Sequence, residues 1–359
     1  MKRTGWFQFA SLRRLLAALG LWLLAAPAAA VPAAAQNAGV DGPSAVSLIY
    51  HRFGENDYPS TNIRMEQFEA HVEELASGRY NVVTLGTIAA ALESGEALPP
   101  RTVAISVDDA YSSVYSRAFP LLQQKGLPFT LFVATDPVDQ GLDGYMTWDQ
   151  LRELAAAGVE IGSQAVSHPH MPDQSPLRNR RELVRSADRL EAELGARPTL
   201  FAYPYGEASS EIMRLAREAG YQAAFGQHSG AIGPTLNRFY LPRFPVNEAF
   251  GGMDRFRRVV NSLPMPATDL TPDDPYLSAA GAENPPAFGF TLAETGSWVN
   301  ALACYHSAVG RIDDMERLGP RIELRFAEAF QPGRTRINCT APAADGRWRW
   351  FGMQYYVSP

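Results

Sequence analysis

The sequence predicts an α/β fold, a closed or nearly closed (β/α) barrel of about seven strands followed by a small β-rich region. Over residues 43–260, short apolar runs alternate with segments of helical periodicity, which is typical of parallel strands joined by helices. No glycine-rich phosphate loop follows the first strand, as an open nucleotide-binding sheet would require. After residue 285 the helical periodicity ends, and segments follow in which apolar and polar residues alternate, as is typical of strands.

Residues 1–35 have the layout of a secretory signal peptide. Lys2, Arg3, Arg13 and Arg14 precede an apolar stretch, and small residues follow as far as Ala35. The apolar stretch is shorter than the roughly 20 residues that span a bilayer. We therefore expect cleavage after residue 30 or 35 and a periplasmic or secreted protein with no stable membrane span.

The barrel elements follow in order from the apolar patterns. The predicted strands are 45–50, 81–84, 102–107, 129–133, 159–162, 200–203 and 222–225. The predicted helices are 65–76, 148–157, 183–194 and 211–219. Thr147 and Gln150 are placed as a capping box at the start of the second helix. This pattern assigns residues 36–262 to the barrel.

Residues 263–285 are rich in Pro, Asp and Ala and are predicted to be a linker. Residues 286–359 form the predicted β-rich region, which contains both cysteines, Cys304 and Cys339. Two cysteines in an exported protein usually form a disulfide, whereas two buried thiols would be expected in the cytosol. We expect the disulfide.

Several predicted strands end in polar residues, at the side of a barrel where catalytic groups collect. His51 follows the first strand, Asp108 and Asp109 follow the third, and His168 and His170 follow the fifth. Taken singly, each has an ordinary explanation as a helix cap or surface residue. Together on one rim, two carboxylates and an imidazole can hold a divalent metal and transfer a proton.

The segments YHRF, SVDDAY, SQAVSHPHM and FAYPYG, in this order, resemble the NodB-type polysaccharide deacetylases of carbohydrate esterase family four. The resemblance covers about residues 45–260. It implies a distorted (β/α) barrel and metal-dependent removal of acetyl groups from a polysaccharide or oligosaccharide. N-acetyl groups are expected rather than O-acetyl groups. Zinc is the expected metal, with manganese, cobalt or nickel as alternatives.

The resemblance also assigns roles to residues. Asp108 would be the general base, Asp109 and His168 metal ligands, and the backbone N–H of Tyr205 an oxyanion donor. Gln164 stands where the family has its first ligand histidine, and it would be the third metal ligand through its side-chain carbonyl oxygen. The possible additional ligands or acids are His51, His170 and His228. Ala202 replaces the arginine that usually contacts the base, and Arg243 is the candidate substitute.

Two functions follow from these residues: an active deacetylase with a modified metal site, and a degenerate barrel that binds acetylated polysaccharide without cleaving it. Retention of Asp108 and Asp109 favours the first, and the replaced histidine and arginine favour the second. A serine esterase is disfavoured because no Gly-x-Ser-x-Gly segment is present. The net charge of −6 gives no reason to expect a nucleic-acid partner. The sequence does not define the oligomeric state.

Overall fold

The computed structural model describes residues 43–281 and 283–359. The predicted signal peptide lies outside the described residues. Within them, no helix is long and apolar enough to cross a membrane.

Ten strands belong to the barrel portion of the chain. They are β1 (Ala45–Tyr50), β2 (Arg52–Phe53), β3 (Asn62–Ile63), β4 (Asn81–Val83), β5 (Thr102–Val107), β6 (Thr130–Val133), β7 (Glu160–Ser163), β8 (Leu200–Ala202), β9 (Ala223–Phe225) and β10 (Phe244–Pro245).

Eight helices connect or flank these strands. They are α1 (Met65–Leu75), α2 (Leu85–Ser94), α3 (Phe119–Gln124), α4 (Thr135–Asp139), α5 (Trp148–Ala156), α6 (Pro176–Leu194), α7 (Ser210–Glu218) and α8 (Met253–Val260). The predicted capping box of α5 is present, with Thr147 and Gln150 each accepting from the other's backbone N–H. Helix α6 begins earlier than predicted, because Ser175 caps it and Pro176 starts it ahead of a highly charged first stretch without apolar periodicity.

The barrel sheet is parallel and has the order β10-β1-β5-β6-β7-β8-β9, with β4 also paired to β5. A parallel bridge between Phe225, in β9, and Leu241, just before β10, brings the two edges together. All seven predicted strands are present within one or two residues of their predicted ends. The distorted barrel fold is confirmed.

The C-terminal residues form further sheets. Their strands are β11 (Leu263–Pro264), β12 (Ala267–Thr271), β13 (Tyr276–Leu277), β14 (Phe288–Leu292), β15 (Ala303–His306), β16 (Gly310–Arg311), β17 (Met315–Leu318), β18 (Arg321–Leu324), β19 (Gly333–Pro342) and β20 (Trp348–Val357). Their apolar side chains share one buried cluster with barrel residues such as Phe201 and Tyr203.

The prediction of a linker at 263–285 is wrong as a description of structure. Strands β11 and β13 pair with β20, and β12 pairs with β14. The local composition suggested a connector, but pairing with distant strands makes this segment part of the C-terminal sheets. Cys304 and Cys339 lie opposite each other on β15 and β19 and form a disulfide.

Candidate active site

A polar cavity of about 520 Å³ lies where the barrel strands end. His51 follows β1, Asp109 follows β5, His168 follows β7 and Tyr205 follows β8, and all four line this cavity. Because the carboxyl ends of parallel strands meet on one rim, residues far apart in sequence converge here. The structure thus brings together four of the residues singled out from the sequence.

Asp109 and His168 face each other across the floor of the cavity. Nε2 of His168 lies 3.4 Å from Oδ1 of Asp109. Both residues have positive φ angles, 74° and 51°, a strained conformation that tertiary contacts must hold. Burial raises the pKa of Asp109, but contact with His168 and the nearby His51 outweigh it and hold that pKa at about 2. Burial lowers the pKa of His168, and contact with Asp109 more than offsets this, so the pKa is raised.

Asp108 lies beneath the cavity and does not line it. Arg243 donates from Nη1 to Oδ1 at 2.6 Å and from Nη2 to Oδ2 at 3.0 Å. Nε2 of Gln164 and Nε2 of Gln227 also donate to Oδ2, at 3.2 and 3.3 Å. The Asp108 side chain is completely buried. Arg243 is thus the arginine that contacts Asp108, and Gln227 contacts Asp108 and also lines the cavity.

Gln164 does not have the geometry of a metal ligand, which corrects the assignment made from the sequence. Its Oε1 accepts from the backbone N–H of Asp109 at 3.2 Å, while its Nε2 donates to Asp108. Reversing the amide would set an oxygen against a carboxylate and an NH₂ against an N–H, so the contacts fix its orientation. Gln164 is fully buried and joins the two aspartates instead of facing the cavity.

The two other candidate histidines lie elsewhere. His170 is in a neighbouring cavity, where Nδ1 is 2.7 Å from Oε2 of Glu207. His228 is buried against Tyr240, and burial together with the charges of Arg336 and Arg243 lowers its pKa to about 3. Neither lines the cavity of Asp109 and His168. Their suggested roles as an additional metal ligand or acid therefore have no support from position in this cavity and stay predictions.

The turn after β8 is held by the C-terminal region. Tyr205 has a φ of 59°, and its carbonyl accepts from Nε2 of Gln354 at 3.2 Å. A Cβ on Gly206 would lie 2.5 Å from the backbone nitrogen of Gln227, so only glycine permits this close approach. The sequence analysis missed Gln227, Gln354 and Arg334, which also lines the cavity. They belong to no motif, and no local pattern marks them.

The Asp109 and His168 pair fits a divalent metal. Two ligands about 2.1 Å from a tetrahedral zinc are about 3.4 Å apart. The observed separation of 3.4 Å matches that spacing and is long for a direct hydrogen bond. Over residues 43–281 and 283–359, no group of three His, Cys, Asp or Glu side chains is arranged to hold a metal. Asp109 and His168 are therefore the residues that would hold an ion at this site.

Comparison with known proteins agrees with this arrangement. Residues 95–224 match the family model for polysaccharide deacetylase. The chain is 25% identical over 205 residues to YxkH of Bacillus subtilis (strain 168), covering 57% of this chain and 72% of that protein. It is 22% identical over 219 residues to poly-beta-1,6-N-acetyl-D-glucosamine N-deacetylase of Staphylococcus aureus (strain MRSA252), covering 56% and 73%.

The solved structure of Streptococcus pyogenes deacetylase PplD in complex with acetate has the same fold as the barrel. The TM-score is 0.58 at 19% identity, over 61% of this chain and 99% of that one. Fold and site together define a barrel hydrolase. Residues 95–224 carry the polysaccharide deacetylase domain of carbohydrate esterase family four.

Proposed function

We propose that this chain is an exported, metal-dependent deacetylase that removes N-acetyl groups from a hexosamine polysaccharide. The observation that carries the proposal is the Asp109–His168 pair, 3.4 Å apart on the floor of an open polar cavity. The named activity of the Staphylococcus aureus relative makes a β-1,6-linked N-acetylglucosamine polymer the first substrate to test.

Asp109 and His168 would hold the metal, with zinc expected first and manganese, cobalt or nickel as alternatives. When bound, the ion would supply Lewis-acid polarisation of the acetyl carbonyl. The strained turn at Tyr205 would direct its backbone N–H at the oxygen on which negative charge develops. His51 lines the same cavity and would donate a proton to the departing amine.

Asp108 would be the general base, and a water molecule would reach it from the cavity by displacing the side chain of Gln227. The contact from Gln227 to Oδ2 is 3.3 Å, the longest of the four that Asp108 accepts, and Gln227 is the only one of the donors that lines the cavity. A water molecule that displaces this neutral amide would meet the carboxylate directly. Arg243 and Gln164 would meanwhile keep Asp108 oriented.

Export is supported by the predicted leader and by the disulfide between Cys304 and Cys339, since such bonds persist in oxidising compartments. The second candidate function is binding of acetylated polysaccharide without cleavage. Two observations favour it. The side-chain amides of Gln164 and Gln227 both donate to Asp108, and Oε1 of Gln164 already accepts from the backbone N–H of Asp109.

Acetate release distinguishes the two. The mature chain, loaded with zinc, should release acetate from β-1,6-linked N-acetylglucosamine oligomers. Asp109→Asn and His168→Ala should lose both bound metal and acetate release, whereas Asp108→Asn should lose acetate release and keep metal. Arg311→Gln, at an exposed residue of β16, is the matched control. Metal binding and oligomer binding without any acetate release would instead establish the non-catalytic function.

A further inference from the structure

The C-terminal strands β19 and β20 present one polar face to the barrel. Arg334 pairs with Tyr356 and Arg336 pairs with Gln354 across this antiparallel ladder. Residues two apart on a strand point to the same side. Gln354 contacts the carbonyls of Tyr205 and Gly206, at 3.2 and 2.9 Å, so this side faces the turn after β8.

A second cavity of about 460 Å³ lies between this face and the barrel. The side chains that matter for its chemistry are His170, Asp173, Glu207, Arg334, Arg336 and Tyr356. Arg334 lines this cavity and the catalytic cavity alike. Between them the ring of Tyr205 stacks on His170, with centroids 4.2 Å apart and planes 12° from parallel. The two cavities are therefore neighbours along one wall.

The acidic groups of the second cavity already have partners. Glu207 is held by His170 at 2.7 Å and by Arg334 at 3.7 Å. Asp173 accepts from the hydroxyls of Tyr356 and Ser358, at 2.5 and 2.6 Å. Both carboxylates are therefore already engaged by side chains around the cavity.

Arg336 is different. Within the described residues it forms no ion pair, and its buried Nε has no hydrogen-bond partner. Arg336 lines the cavity together with Tyr356 and His170, whose rings lie nearly parallel with centroids 6.1 Å apart. Donors beside aromatic rings suit a neutral ligand with carbonyl and hydroxyl oxygens, such as a sugar.

We propose that this cavity is a second sugar subsite, in which Arg336 binds the N-acetylhexosamine residue next to the one held in the catalytic cavity. The proposal rests on the proposed function for the nature of the polymer. Arg336 lies in β19, outside the family match at 95–224, so the subsite would be a feature that the C-terminal region adds to the barrel.

Isothermal titration of the full mature chain, treated with chelator to prevent turnover, tests the proposal. The wild type should bind the β-1,6-linked N-acetylglucosamine tetramer more tightly than the monomer. Arg336→Met should lower the ratio of tetramer to monomer affinity about tenfold, because a hydrogen bond from a charged donor is lost. Arg311→Met, in the exposed strand β16, should leave the ratio at the wild-type value.

Arg336→Lys is the control for a folding defect, because lysine keeps the charge and the aliphatic stem but lacks the planar set of donors of the guanidinium. It should also lower the ratio, and an unchanged ratio in this folded variant overturns the subsite. A wild-type chain with no preference for the tetramer does the same. Preference for the tetramer without acetate release from any substrate would reject the deacetylase and retain the subsite.

Discussion

Arg243 and Asp108 form a fully buried ion pair in which two guanidinium nitrogens contact two carboxylate oxygens, at 2.6 and 3.0 Å. Arg243 immediately precedes β10, and its Nε donates to the carbonyl of Gly226 at 3.0 Å, just after β9. Asp108 immediately follows β5. The pair therefore connects the two strands that close the barrel to the strand that precedes Asp108 and Asp109.

Removing the arginine should destabilise the protein strongly. Arg243→Met would leave the charge of Asp108 buried without its partner, so we expect the free energy of unfolding to fall by about 3–5 kcal/mol. Urea denaturation measures this. Adding Asp108→Asn to Arg243→Met should recover part of the loss, because no charge then remains buried. A double variant no more stable than Arg243→Met would contradict this explanation.

The sequence alone predicted the strands and the convergence of Asp109, His168 and Tyr205, because strand ends are marked by local patterns. It did not predict what Gln164 contacts. Both partners of that amide, Asp108 and Asp109, are more than 50 positions away, and their contacts depend on side-chain direction at a buried strand end.

Contacts between residues even further apart in the sequence were not predicted at all. Gln354 contacts Tyr205 across 149 positions, and Arg334 contacts it across 129. Nothing in the local sequence around β19 or β20 indicates a role at the barrel rim. The contribution of the C-terminal region becomes visible only when the packing of the sheets is known.

The protein should lose stability in mild acid through His71. This side chain is buried, with Nε2 2.8 Å from the carbonyl of Gly251 and Nδ1 3.1 Å from the hydroxyl of Tyr50. Donating from Nε2 and accepting at Nδ1 fits the neutral ring. Burial lowers its pKa to about 4 in the folded state, whereas the unfolded chain has about 6.5.

Between pH 4 and pH 6.5 the unfolded state binds more protons than the folded state. The free energy of unfolding is therefore highest above about pH 6.5 and falls by roughly 3 kcal/mol as the pH drops towards 4. His71→Gln can keep both hydrogen bonds without titrating. The unfolding free energy of the wild type minus that of the variant, measured in urea at pH 7 and at pH 4, should therefore be lower at pH 4 by about that amount. A difference that is constant with pH would refute the role of His71.

The exported protein should lack residues 1–30 or 1–35, depending on the cleavage site, and contain no free thiol. Intact-mass measurement of the exported fraction tests both, and a full-length mass with two free thiols would contradict export with disulfide formation. The cysteines are 35 positions apart, so replacing both by alanine should lower the free energy of unfolding by about 3–4 kcal/mol. The same substitutions should have no effect on protein that is already reduced, apart from small changes in packing.

Gln164→His should have opposite effects on the metal-free and zinc-bound protein. A histidine that turns towards Asp109 and His168 gives up the amide contacts to Asp108 and to the N–H of Asp109, so the metal-free variant should be less stable by about 1–3 kcal/mol. If the ring turns towards Asp109 and His168, it supplies the third protein ligand that the site lacks. Zinc affinity should then increase at least tenfold.

Gln164→Leu is the matched control, because it loses the same contacts without supplying a ligand atom. It should be less stable than the wild type and bind zinc no more tightly. Zinc titration and urea denaturation of the three proteins test the prediction together. If the histidine variant binds zinc no better than the leucine variant, then residue 164 cannot reach the metal, and the site depends on Asp109, His168 and a ligand from outside the turn after β7.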